Sequence, residues 1–137
     1  MAIDQALIGK RSDPQTFEVT EEAVRRFMQA TEDPALHGDS PLIYAPLTFP
    51  TTFRVRISDY SIDMSKVQAL HGEQEYRYTR RLRIGEQITC VARITDVRQR
   101  AGRSGSMTFV VTETTGTDSQ QQVVFVARST GILRVKE

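Results

Sequence analysis

A chain of 137 residues with a formal charge of +1 and 39% apolar side chains is the size of one ordinary domain. Its 18 basic residues offset 17 acidic ones, which leaves no electrostatic case for nucleic acid or an anionic membrane as a partner. The lone cysteine, Cys90, rules out an internal disulfide and reads as a small buried hydrophobe in a reducing compartment.

The amino-terminal MAIDQALIGK lacks the long apolar core of a signal peptide, and no run approaches membrane-spanning length, so cytoplasmic residence is the expectation. Ile3, Leu7 and Ile8 form a short arm that packs locally. Phe17-Glu18-Val19 alternates like a short strand. Thr20 then stands as a helix N-cap, with Glu21 and Glu22 in the first turn, where negative charge meets unpaired backbone donors. Ala23, Val24, Phe27, Met28 and Thr31 recur at three- and four-residue spacing, which predicts a helix over 21–31 with one buried face.

From Glu32 to Pro46 the prolines, glycine and aspartates exclude a regular element through most of the stretch. His37 and neighbouring acids make it the leading polar-site candidate, with a solvated connecting loop as the plain alternative. Leu47 to Val55 reads two ways. Thr48 can cap a helix that places Pro50 in its first turn and aligns Phe49, Phe53 and Ile57, whereas the threonines and β-branched residues favour a strand. Residues 58–65 form a turn-rich connection with Ile62 and Met64 as inward anchors.

Leu70 to Val97 carries the clearest pattern. Tyr76, Tyr78, Leu82 and Ile84 alternate before Gly85, and Ile88, Cys90, Ala92 and Ile94 alternate after it, which predicts two strands paired across that turn. RQRAGRSGSM then makes a basic turn carrying Arg98, Arg100 and Arg103. Met107, Phe109 and Val111 give a third strand, and Val123, Phe125, Ala127 and Ser129 a fourth that nearly reaches the end. Apolar residues on both faces of that sheet leave room for a second cover, a helix or another subunit. Two early helices and four late strands make an α+β domain occupying 1–137. Two distant histidines give no metal-ligand spacing, so no metal is expected.

Several ordered phrases carry a resemblance: Ile8-Gly9-Lys10, Phe17-Glu18-Val19, Ala45-Pro46-Leu47-Thr48-Phe49-Pro50, Leu70-His71-Gly72-Glu73-Gln74, Thr112-Glu113-Thr114 and Ala127-Arg128-Ser129-Thr130. The chain resembles the MaoC-like dehydratases, a hot-dog-fold family acting on fatty-acyl thioesters, and within it the FAS1-like dehydratase branch and the mycobacterial hydroxyacyl-carrier-protein dehydratase subunits.

The resemblance implies an antiparallel sheet wrapped around a central helix that begins at Thr48. The amides of Leu47 and Thr48 would then stabilise negative charge on a thioester oxygen. It implies Asp33 and His37 as the acid–base pair for adding water to a 2-enoyl thioester or removing it from a 3-hydroxyacyl thioester. His37 follows Asp33 by four positions where the family pattern has five; Glu32 satisfies the spacing but occupies the place usually held by glycine. Phe49, Phe53 and Tyr76 are candidates for lining an acyl tunnel, and the basic turn for drawing in a carrier phosphate. His71 reads as structural, at a strand entrance or an interface. No cofactor is implied beyond coenzyme A or acyl carrier protein as thioester carrier. The implied partner is a second copy or another MaoC-like subunit. An alternative is a binding subunit without chemistry of its own, and a thioesterase is a third reading.

Overall fold

A computed structural model of the chain describes residues 5–58, 65–103 and 105–135. Five antiparallel strands, β1 (Gln15–Glu18), β2 (Val67–Tyr78), β3 (Gln87–Gly102), β4 (Gly105–Thr117) and β5 (Val123–Val135), form one curled sheet in the order β1-β3-β4-β5-β2. One α-helix among the described residues, α1 (Glu21–Ala30), packs against it. This is the hot-dog architecture, reached with one helix rather than the two expected. The positions named above at Ile3, Ile62 and Met64 lie outside the described residues.

α1 forms where its capping and periodicity put it. The Thr20 hydroxyl accepts the Ala23 amide at 3.1 Å, and Glu22 and Arg26 pair one turn apart on the wet side at 2.9 Å. Val24 and Met28 bury the other side. The helix stops because Glu32 adopts a φ of +55°, which turns the chain so that the Glu32 amide bonds Gln29 and the Asp33 amide bonds Met28. That is a Schellman closure with a glutamate in the left-handed position where glycine is most at ease.

The second helix does not extend beyond Phe49–Thr52, a single 3₁₀ turn. The Thr51 and Thr52 hydroxyls donate to the Thr48 and Phe49 carbonyls, both at 2.9 Å, so side chains satisfy the groups that a continuing helix would use. Beyond it the chain runs extended through β-branched Val55 and Ile57, which pack against the sheet. α1 therefore packs at one end of the concave face, and the turn and extended segment cover the rest of it.

β2 and β3 are not partners. β2 pairs with β5 and β3 with β4, so the Gly85 turn belongs to a connection between strands three places apart in the sheet. Alternation reports which face of a strand is buried and carries no information on which neighbour it finds. Arg80 secures this connection, donating to Glu86 at 2.8 Å and to Asp118 in the β4–β5 turn at 3.2 Å. The Arg83 amide donates to Glu86 as well, at 2.5 Å. Although burial opposes it, bonding from Arg80 and the Arg83 amide holds the Glu86 carboxyl below its ordinary value. Asp118 is likewise lowered, first by the Gln122 amide and then by Arg80.

The basic stretch expected as a turn is mostly strand. β3 and β4 stay paired out to Gly102 and Gly105, with Arg98 and Arg100 along the ladder. Three bulges interrupt the sheet, at Gly72 in β2, at Thr95 in β3 and at Val124 in β5. Each inserts one residue and so reverses which side chains face inward. On β2 the reversal brings His71 on one side of the bulge and Gln74, Tyr76 and Tyr78 on the other to the same concave face. On β3 it does the same for Ile94 and Val97.

Two buried clusters sit on that face. Val24, Met28, Phe49, Cys90 and Phe125 centre one near α1, and Ile57, Val67, Ile94, Val97 and Leu133 form the other near the far end. Cys90 is buried, which pushes its thiol up to about 12. On the opposite face, ladder register sets Glu75, Arg128, Glu113 and Arg93 in one row of alternating charge across four strands. That face is thus mixed rather than apolar.

Candidate functional site

Between the two buried clusters the concave face is lined by small and polar residues, and a cleft of about 620 Å³ opens there. Register explains its shape. One row across the sheet reads Tyr76, Ala127, Thr114, Ala92, and the next reads Gln74, Ser129, Thr112, Ile94. Neither row holds a large side chain at its centre, so the floor is low. Phe125 closes one end. Its ring lies 6.4 Å from that of Phe53 and 5.8 Å from that of Tyr78. The roof is the extended segment after the 3₁₀ turn, from which Phe53, Arg54, Val55 and Arg56 line the cleft. That segment is held to β1 by Gln15, whose side-chain amide donates to the Arg56 carbonyl at 3.0 Å and accepts the Arg56 amide at 3.3 Å.

Of the acyl-lining candidates, Phe53 and Tyr76 face this cleft. Phe49 does not: it is 1% exposed, with its ring edge-on to Phe27 at 5.7 Å and to Phe53 at 5.6 Å. Its role is to join α1 to the cleft wall. His71, read from sequence as structural, lines the cleft because of the Gly72 bulge.

Asp33 and His37 share one short 3₁₀ turn, Pro34–His37, away from this cleft. Asp33 caps that turn, its Oδ1 accepting the Ala35 amide at 3.0 Å. The remainder of its carboxylate borders a smaller cavity of about 220 Å³, along with Met28, Tyr44, Pro46 and Arg81. Arg81 stands 5.0 Å from the centre of the Tyr44 ring and donates to the Ala45 carbonyl at 3.4 Å. His37 is exposed at the end of its turn and lines neither cavity. The turn thus brings the two residues together in the chain, while the cavity gathers Asp33 with Tyr44 and Arg81.

The Leu47 and Thr48 amides donate to no acceptor among the described residues, and both residues are exposed. Leu47 is held from its other side, by the Tyr78 hydroxyl donating to its carbonyl at 2.6 Å. Burial comes first among the causes that raise the Tyr78 phenol above its ordinary range. No group of three or more His, Cys, Asp or Glu side chains among the described residues is placed to hold a metal. No helix among them is long and apolar enough to cross a membrane.

Sequence reasoning missed the floor, made by Gln74, Thr112, Thr114 and Ser129. A signal was present: polar residues at inward positions of central strands, where apolar ones are the rule. Met107, Phe109 and Val111 mark the third strand by their alternation, without saying which of its faces is covered. The structure turns Val110, Thr112 and Thr114 inward, opposite Val97, Ile94 and Ala92.

The curled sheet and its helix are those of a hot-dog protein. The model of the FAS1-like dehydratase domain region matches residues 6–127, and the chain belongs to that family. Among curated sequences it is 31% identical over 117 residues to a UPF0336 protein of Thermobifida fusca, covering 74% of this chain and 77% of that one. Among solved structures it is similar to the truncated HadBC complex, a 3R-hydroxyacyl-ACP dehydratase of Mycobacterium tuberculosis. The TM-score is 0.69 at 22% identity, over 92% of this chain and 96% of that one. It is also similar to the ChsH1-ChsH2 complex of the same organism, with a TM-score of 0.65 at 18% identity over 89% and 83% of the chains. The (R)-hydratase of A. caviae involved in PHA biosynthesis superposes with a TM-score of 0.63 at 13% identity, over 93% and 98%.

Proposed function

We propose that this chain is the acyl-thioester-binding subunit of a 3-hydroxyacyl-thioester dehydratase, working beside a second MaoC-like subunit that supplies the acid–base pair. The observation that carries this reading is the separation of parts. The chain has a roomy cleft ended by Phe53, Tyr76 and Phe125, yet Asp33 is engaged as a cap and His37 is exposed outside both cavities. A cleft of this volume is within the usual range for small-molecule sites. Water addition needs a base and an acid held at one reacting centre, and a displacement near 1 Å can lower the rate about a hundredfold. Two of the similar structures are themselves complexes of two named chains, which supports a heteromeric partner. Substrate delivery on coenzyme A or acyl carrier protein, a place in lipid metabolism and cytoplasmic residence belong to the same proposal.

The test is hydration of crotonyl-coenzyme A by the purified chain, alone and mixed with the product of a neighbouring MaoC-like gene. The expected result is no turnover alone, turnover on mixing, and no change when the mixture carries Asp33→Asn or His37→Ala in this chain. Full activity of the chain alone, abolished by both substitutions, would instead assign Asp33 and His37 as the catalytic pair, with the Leu47 and Thr48 amides as its oxyanion donors.

A further inference from the structure

The cleft has a charge pattern that its apolar end does not explain. Arg54, Arg56 and His71 all line it, and among the described residues no aspartate or glutamate does. In a chain with 17 acidic residues against 18 basic ones, that is a local segregation of charge. The floor adds hydroxyls and an amide from Thr112, Thr114, Ser129 and Gln74, groups that accommodate a polar ligand without supplying negative charge.

The two ends can be ordered. Phe53 meets Phe125 at the α1 end of the roof segment, and Ile57 packs with the cluster holding Val67 and Leu133 at the other. The roof therefore runs along the strands, and Arg56 falls toward the His71 end. From Tyr76 to His71 the strand covers about 13 Å, counting one residue as taken up by the bulge. Arg56 is also fixed rather than loose, since Gln15 grips its backbone from both sides.

We propose that this cleft is a site for an amphipathic anion. The apolar portion would rest against Phe53, Tyr76 and Phe125, and the anionic head would sit toward Arg56 and His71, with Arg54 adding to the field. This deepens the reading above and rests on its claim that an acyl group occupies the cleft. The head is the carboxylate of a free fatty acid or a phosphate of the thioester carrier. Both are recognised by guanidinium groups through charge-assisted hydrogen bonds.

The experiment is calorimetric titration of the full chain with octanoate, methyl octanoate and coenzyme A, compared with the Arg54→Gln/Arg56→Gln double variant and an Arg77→Gln control outside the cleft lining. Both roof arginines are exposed, so the double variant should keep the parent's unfolding midpoint, and that is measured first. Octanoate, coenzyme A or both should bind, with methyl octanoate at least tenfold weaker than octanoate if the carboxylate is the head. The double variant should lose at least tenfold for the bound anion, and Arg77→Gln should lose nothing. Binding by coenzyme A alone identifies phosphate as the head, and by octanoate alone carboxylate. Equal affinity for octanoate and its methyl ester with no coenzyme A binding, an unchanged double variant, or no binding by any probe overturns the inference. Reconstituted dehydratase activity decides the subunit reading separately, so an acyl cleft indifferent to charge is distinguishable from no acyl cleft.

Discussion

Gly116 offers the sharpest test of how the cleft end is built. It sits in β4 directly opposite Phe125 in β5, and a Cβ placed on it would come within 2.8 Å of three carbons of the Phe125 ring. Ordinary carbon–carbon contact is about 3.5–4.0 Å, so Gly116→Ala requires the ring or the strand to move. The ring has little freedom, being 1% exposed and bracketed by Phe53 and Tyr78. Overpacking of this kind costs about 1–3 kcal/mol. Removing a glycine from a strand offsets about 0.5–1 kcal/mol of that, leaving a net loss of about 1–2 kcal/mol. Urea unfolding of the parent, Gly116→Ala, Phe125→Leu and the double variant forms a cycle that isolates the clash. Leucine lacks the outer ring carbons, so the alanine should be nearly neutral in that background and the coupling should reach about 1 kcal/mol. A single variant as stable as the parent, or an equal loss in both backgrounds, would refute the packing argument.

Three further outcomes are expected. Glu32→Gly should raise stability by about 0.5–1 kcal/mol, because glutamate holds a φ of +55° where glycine carries no Cβ penalty; urea midpoints check it, and a drop would show that the side chain matters more than the backbone. Glu86 and Asp118 have carboxyls lowered in the folded state, so their contribution is fully present above the unfolded values near about 4 and is lost as pH falls through the folded ones. Melting temperature should therefore fall more steeply below about pH 4 in the parent than in Glu86→Gln, and parallel curves would count against the Arg80 cluster. The Cys90 thiol should resist Ellman's reagent at pH 8 in the folded chain and react after urea unfolding, since it is both inaccessible and held protonated; rapid native labelling would contradict its burial.

The α1 segment was legible almost to the residue because cap, charge and periodicity all reported the same local event. The strand set was legible too, since Ile88, Cys90, Ala92 and Ile94 mark a buried face whatever lies beside it. Strand neighbours were not: pairing of β2 with β5 joins residues 47 to 68 positions apart, and nothing local at Tyr76 or Gly85 encodes it. The same limit hid the role of His71. Its position looked like a strand entrance, and only the ladder shows that Gly72 is an inserted residue that turns the imidazole into the cleft. At Thr48 the capping pattern matched a helix start, but threonine hydroxyls that bond backward ended the turn after four residues. For Asp33 and His37, the residue types were visible and their separate surroundings were not.

The strand order also sets a schedule for a chain made from its amino end. Among the described residues β2 has one ladder partner, β5, which follows every other strand of the sheet in the chain. His71, Gln74 and Tyr76 must therefore wait through more than forty intervening residues before the wall they belong to exists. During that interval β2 has both backbone edges unpaired, and Glu73, Glu75 and Arg77 provide the charge that discourages it from joining another chain. The cleft is thus complete only once β5 has been made, because its lining is drawn from β2, β3, β4 and β5 together.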